Sequence, residues 1–418
     1  MINHPISQFL RKIGRASWIV FACLVAGSAG GYVAGNHLGF SEAADRTRRL
    51  PSGAIPCKPG PWGELTYTSF TIAAPDDLIP LRSIERRGTH WFLADFTADT
   101  FVSFLQGTSL TPEQQQQYLA PAVFHPRPDG IELTPSPDMV FSLPADARDK
   151  IYQSLAQSDE NDSDINYLAE DAVPGQFANS GVSPATMAMF HRLCSRRGDD
   201  IMFSGVAALL SRIPTYDEKL HFAKALTRQR TMVLNLHITP ATDVDTLAQY
   251  WDRGSWGTDV HTILRSLTAI PTGTWMNILM VLPSLPASEI YTYPNIVDNP
   301  LDGPPVNRDC AWTSLNFFRD IPDPNFGKPD FVRRELFENY SPLNGSPRYG
   351  DLVLVGRPDG KIFHIAIYMA DDIWFTKNGG SLVHPWMLST ASDVLKQFEF
   401  AVKPGEHLAV SYYRNTRL

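Results

Sequence analysis

Apolar positions along the chain fall first into one unbroken run, then into helical spacing, and last into alternation. The run extends from about Ala16 to Ala34. From about residue 61 to 285 the pattern is mainly helical with some strand. Thr111-Pro112-Glu113-Gln114 combines an N-cap, a first-turn proline and a capping-box glutamine, and so starts a helix. Helical periodicity runs from Ala145 to Gln157 through Ile151 and Leu155. Ser183-Pro184 opens a helix reaching Leu193, and Thr215 with Glu218 forms a capping box for the helix of Leu220, Phe222 and Leu226. The alternation of Met232 to Ile238 predicts a half-buried strand, and Thr242 or Asp243 then starts a helix to Trp251. After Ala287 to Tyr293 the pattern changes again. Asn307 to Phe318, NRDCAWTSLNFF, reads as a helix beginning at Cys310. Gly350 to Gly379, GDLVLVGRPDGKIFHIAIYMADDIWFTKNG, reads as two strands, with His364 opening the second.

These shifts divide the chain into 1–35, a linker over 36–60, a mainly helical domain over 61–290, and a C-terminal domain over 291–418. Arg11, Lys12 and Arg15 precede the long run, which has the length needed to span a bilayer. Gly27, Gly31 and Gly35 recur at the spacing that lets two such helices approach closely, so self-association through this face is expected. The run reads as an uncleaved anchor in preference to a cleaved signal whose small-residue site would be Ser41-Glu42-Ala43. Either way the body lies on the periplasmic or extracellular side of the cell membrane.

Composition narrows the function classes. Hydrophobic residues make up 43% of the chain and charged residues 19%, which suits a folded protein. The net charge of −8, without a basic stripe interleaved with aromatics, argues against nucleic acid as a partner. None of Cys23, Cys57, Cys194 and Cys310 forms a CxxC pair, and HExxH is absent, so neither a structural metal nor another cofactor is expected. Cys57 and Cys194 are the pair available for a disulfide in an oxidising compartment, which leaves Cys310 a free thiol. His191, His221, His237 and His261 stand singly and read as core or surface histidines. The 61–290 segment offers no catalytic motif.

The chemistry therefore concentrates in the C-terminal segment. A cysteine at a helix start gains thiolate character from the partial positive charge there. A histidine on a facing strand can take its proton, and the two suffice for nucleophilic acyl transfer.

Asp-Cys at a helix start, then Gly-Asp-Leu-Val, then His-Ile-Ala-Ile-Tyr, resembles the NlpC-type papain-like cysteine peptidases, mostly bacterial cell-wall endopeptidases, over about residues 291–400. The resemblance implies an α+β fold, with a cysteine-bearing helix packed on an antiparallel sheet that bears the histidine. Cys310 is then the nucleophile, with its backbone N–H helping to hold the oxyanion. His364 is the general base and later the acid for the leaving amine. Gly350-Asp351 forms the turn into the strand before it.

The family places a third polar residue about a dozen positions after the histidine, which falls on Thr376. Asn378 lies on the same strand face and is preferred because an amide oxygen orients an imidazolium well; Thr376 is second and His384 third. Lys377 points the other way unless a bulge intervenes. Tyr291 or Tyr293 stands where the family carries a tyrosine near the oxyanion. Ala311-Trp312 replaces the family's small residues after the cysteine.

The function expected is that of an exported or membrane-anchored thiol hydrolase cutting amide bonds in peptidoglycan stem peptides through a Cys310 thioester. The alternatives are an acyltransferase, amidase or transglutaminase-like enzyme (for which Asp371 or Asp372 is the acidic candidate), or a non-catalytic wall-binding or scaffolding protein.

Overall fold

The computed structural model describes residues 53–161, 165–198, 200–254, 259–294, 307–399, 402 and 406–417. The 16–34 run, its glycines and Cys23 lie outside these residues. Among the described residues no helix is long and apolar enough to cross a membrane.

The first half of the chain contributes β1 (Ile55–Pro56), β2 (Leu65–Ile72), β3 (Trp91–Ala94), β4 (Phe124–Arg127), β5 (Gly130–Leu133), β6 (Ile165–Ala169), β7 (Cys194–Arg197) and β8 (Asp200–Ser204). The second half contributes β9 (Gln229–Ile238), β10 (Thr274–Asn277), β11 (Tyr340–Pro342), β12 (Leu352–Gly356), β13 (Ile362–Ala370), β14 (Ile373–Lys377), β15 (Trp386–Thr390) and β16 (Ala409–Asn415). They form antiparallel sheets in the orders β1-β2-β9-β10, β3-β5-β4, β6-β8-β7 and β11-β16-β12-β13-β14-β15. With the intervening helices this is an α+β protein.

Local signals hold where they are strongest. Thr111 accepts from the Gln114 N–H while the Gln114 side chain accepts from the Thr111 N–H, which completes the expected box. Ser183 caps the helix Pro184–Leu193 and Asp243 caps Val244–Trp251. Thr215 accepts from the Glu218 N–H, but the Glu218 carboxylate does not reach back to it. That carboxylate takes the Ser183 N–H at 3.0 Å and the Thr186 hydroxyl at 2.7 Å, so it ties two helices together. Ile55 and Pro56, expected in the linker, pair with Tyr67 and Thr66.

The hydrophobic cores do not divide at 290/291. One core gathers residues between 74 and 225, including Trp91, Phe101, Tyr152, Phe190 and Phe222. The other joins Trp62, Leu65 and the buried residues of 232–290 to the C-terminal sheet. The reason is the pairing of β2 with β9, from Leu65↔Leu236 to Ile72↔Gln229, which brings the two ends of the 74–225 segment together. Met232, Leu234, Leu236 and Ile238 alternate inward along β9. Across the join, Thr231 donates to the Leu388 carbonyl at 2.9 Å and Tyr250 to the Met369 carbonyl at 2.8 Å. Cys57 packs against the core of the C-terminal sheet and Cys194 against the other; both are free thiols, so the disulfide left open by the sequence is not formed.

Strands β12 to β15 are buried on both faces. The turn into β12 is fixed from both ends. Gly350 sits at φ +85°, and a Cβ there would lie 2.2 Å from the Phe318 ring, so only glycine fits. Asp351 is fully buried and accepts from Arg253 at 2.7 Å, from Arg414 at 2.6 and 3.0 Å, and from the Arg348 N–H at 2.8 Å. Burial opposes its charge, but the two guanidiniums outweigh that and hold the carboxyl below its ordinary range.

Candidate functional site

Cys310 is the first residue of a short helix, Cys310–Leu315, whose N-cap is Asp309. The Asp309 carboxylate accepts from the Trp312 N–H at 2.9 Å and from the Asn307 amide at 3.0 Å. The helix packs on one face of the large sheet: Phe317 meets Phe375 at 5.4 Å between ring centroids, and the Trp386 indole donates to the Thr313 hydroxyl at 2.9 Å. Pairing and alternation put Ile365, Ile367, Phe375, Lys377 and Trp386 on that face.

His364 belongs to the other face, with Tyr368, Trp374 and Thr376. It is fully buried and stacks on Phe398 of the helix Ala391–Phe398 at 4.5 Å. Its Nε2 lies 2.9 Å from the Thr376 hydroxyl. That hydroxyl donates to the Asn378 Oδ1 at 3.3 Å. The Asn378 amide N–H₂ donates to Gln397 Oε1, and the Gln397 amide N–H₂ to Gln229 Oε1 at 2.9 Å. The order of donors assigns the tautomer. Thr376 spends its proton on Asn378, so it accepts from His364, and Nε2 carries the hydrogen. Nδ1 is left as a lone pair, buried and without a hydrogen-bond partner. A buried orphan of this kind asks for an explanation.

The structure thus brings His364, Thr376 and Asn378 into one chain, with Thr376 touching the imidazole and Asn378 one link behind. The sequence ranked these two the other way. It does not bring Cys310 into a hydrogen bond with either ring nitrogen. The sulfur reaches the sheet from the opposite face, beside the backbone N–H of Ile365, the residue after His364.

Electrostatics sharpen this separation. Burial, then the Asp309 carboxylate, push the Cys310 thiol up to about 11, against the Ile365 and Ala311 N–H groups and Lys377. The thiolate character expected from the helix start is therefore overridden. The helix is a single six-residue stretch, too short for a strong dipole, and its capping carboxylate lies next to the sulfur. Burial pushes His364 down to about 3, so it is a neutral imidazole at pH 7.

Lys377 is fully buried on the Cys310 face, as the alternation of β14 requires. Its ammonium donates to the Gly379 and Ser381 carbonyls at 2.7 and 2.9 Å. His384 closes the same turn, with Nδ1 bonded to the Asn378 carbonyl. Burial and then Lys377 push it down to about 4. Tyr291 is committed elsewhere: its hydroxyl donates to the Met232 carbonyl at 2.6 Å and its N–H to the Trp386 carbonyl at 2.7 Å. The Tyr293 hydroxyl is buried without a partner. Asp371 and Asp372 form the β13–β14 turn, and Asp371 accepts from the Lys58 N–H at 2.9 Å.

Sequence reasoning missed Gln397 and Gln229. Gln397 carried a faint signal, a polar residue three positions after the buried Val394 on an amphipathic helix; Gln229 carried none. No group of His, Cys, Asp and Glu among the described residues is arranged to hold a metal ion.

In comparisons with known proteins, no family model matches the chain, and no curated protein or solved structure matches it.

Proposed function

We propose that the chain is a thiol hydrolase of the NlpC type that cleaves amide bonds, with peptidoglycan stem peptides as its substrate class. The observation that carries this reading is the orphaned Nδ1 of His364: a buried imidazole with its other nitrogen held by Thr376 and one lone pair unused, on the strand residue next to the one whose N–H meets the Cys310 sulfur. Supporting it is the arrangement of a cysteine-bearing helix on an antiparallel sheet that also bears the histidine.

The resting chain holds Nδ1 and the sulfur on opposite faces of the sheet, so the step requires the His364 ring to turn to the cysteine side; the sulfur then attacks the scissile carbonyl while its proton passes to Nδ1, giving a tetrahedral oxyanion. The imidazolium then returns that proton to the departing amine as the C–N bond breaks, leaving a thioester for water to hydrolyse. The exported, membrane-proximal setting belongs to the same proposal and rests on the sequence of residues 11–35.

One observation favours a second reading, a non-catalytic wall-binding or scaffolding protein. Burial pushes the thiol up to about 11 and the imidazole down to about 3, so the resting chain holds both groups neutral. Both shifts disfavour a preformed thiolate–imidazolium pair, and the hydrolase reading requires proton transfer in step with attack.

The test is hydrolysis of purified stem peptides by wild-type, Cys310→Ala, His364→Ala and His384→Ala proteins. The hydrolase reading expects loss of turnover in the first two and survival in the third. A Cys310→Ala protein that cleaves at the wild-type rate defeats it, and loss in His384→Ala with survival in His364→Ala moves the base to the other face of the sheet.

A further inference from the structure

Lys377 is a fully buried cation that the mechanism above leaves unused, and three contacts bring it to the start of the cysteine helix. Its ammonium binds the carbonyls of Gly379 and Ser381. Between them, Gly380 lies so close to Asn307 that a Cβ there would sit 2.5 Å from Oδ1 of that side chain. Asn307 in turn donates to Asp309, the cap before Cys310. From the other side, the Lys377 ammonium lies 5.9 Å from the centroid of Trp386, whose indole N–H is bonded to Thr313. Thr313 donates to the Asp309 carbonyl at 2.7 Å. The turn, the tryptophan and the capping residue thus enclose the ammonium against the first turn of the helix.

A fully buried ammonium is costly unless charge or hydrogen bonds meet it. Two carbonyls satisfy two of its three donors. Burial pushes its pKa down to about 8, against Asp309 and then Cys310, which raise it. Asp309 is itself held above the ordinary carboxylate range, first by burial. His384 faces the same turn, and Arg308 lies farther out, over Trp312 at 5.1 Å and 4.0 Å from Glu289. β13 presents Ile365 to this site and β15 presents Trp386, neither of them charged.

We infer that Lys377 is the electrostatic partner of the Cys310 thiolate: its ammonium meets the charge that develops on the sulfur when the thiol proton leaves, from the face of the sheet opposite the resting His364 ring. The inference rests on Cys310 being the nucleophile, and it assigns Lys377 no proton transfer of its own.

The test reads the sulfur without substrate. Iodoacetamide alkylates the thiolate with release of iodide, so its rate against pH, followed by intact mass, reports how readily Cys310 ionises. Cys310 is compared in wild-type, Lys377→Gln and Lys377→Met proteins, each checked for folding by circular dichroism. Glutamine keeps donors for the two carbonyls and removes only the charge. The expected result is an alkylation rate at pH 7, where Lys377 still carries its proton, that falls about tenfold in both variants. A wild-type profile in Lys377→Gln overturns the inference and leaves the hydrolase reading standing. The expected slowing in a protein that hydrolyses nothing supports the inference and removes only the hydrolase reading. Should the lysine variants fail to fold, the same coupling is read from wild type alone. The wild-type alkylation rate is followed from about pH 6 to 10: a plateau above about 8, where the ammonium loses its proton, is the expected result, and a rate that keeps rising about tenfold per pH unit refutes the pairing.

Discussion

Replacing Thr376 by Val removes one oxygen and keeps the branched shape. In the resting chain it strips the Nε2–H of a fully buried imidazole of its acceptor at 2.9 Å and Asn378 of its donor at 3.3 Å. Two buried groups left unpaired cost about 1–3 kcal/mol each in stability. The effect on turnover is separate. When His364 takes the thiol proton, the Nε2–H bond to Thr376 becomes charge-assisted and contributes about 1.5–3 kcal/mol. Its loss therefore lowers kcat/KM by about 10- to 150-fold. Asn378→Ala removes only a longer, neutral bond one link away, about 0.5–1.5 kcal/mol, so its effect is about 2- to 10-fold. Thr376→Ser keeps the oxygen and restores most of the rate. The assay is kcat/KM on purified stem peptides, below the melting temperature of each variant, with the pH profile recorded alongside. An Asn378→Ala protein as impaired as Thr376→Val refutes the reasoning, because the contact to the ring would then not be what counts.

Beyond this, Cys310→Ala abolishes hydrolysis while leaving the melting temperature within a few degrees of wild type, since the sulfur makes no hydrogen bond to His364; wild-type turnover is the refuting outcome. Acid unfolds the protein through its buried histidines. Unfolded imidazoles bind protons below about pH 6.5 while native His364 stays neutral down to about 3, so unfolding free energy falls by up to about 1.4 kcal/mol per pH unit for this residue as pH drops through that window. His364→Gln flattens that slope in urea titrations, and an unchanged slope counts against the burial argument. Asp351, whose carboxyl is held low, adds stability above its unfolded range near pH 4 that is lost as pH falls through its folded value. Gly350→Ala costs roughly 2 kcal/mol or more, because a left-handed backbone and a Cβ driven into the Phe318 ring act together; a neutral effect in thermal melts would mean the turn rearranges freely.

Much of the local architecture was written in the sequence. Thr111, Ser183 and Asp243 cap their helices because a side-chain oxygen needs only the next turn's N–H groups. Met232 to Ile238 is a strand because its alternation matches a sheet with one buried side. Gly350-Asp351 was placed before β12 by the family resemblance, and the left-handed turn found there is one that selects glycine. The positions of Cys310 at a helix start, of His364 on a strand and of Lys377 on the face away from Thr376 were legible for the same reason: period and chain order fix them. Helical periodicity in 61–290 hid the short strands there, and nothing local announced that Leu65–Ile72 would pair with Gln229–Ile238.

Only the tertiary structure decided the rest. It assigned residues 232–290 to the core of the C-terminal sheet, because that pairing joins segments far apart in sequence. It put Thr376 rather than Asn378 on the imidazole, because Asn378 lies past the end of β14 and its amide is bonded to Gln397. It reversed the expected ionisation of Cys310, because burial and a neighbouring carboxylate outweigh a one-turn helix. It also set Cys310 and Lys377 on one side of the sheet and His364 on the other, since a face has meaning only once something packs against it.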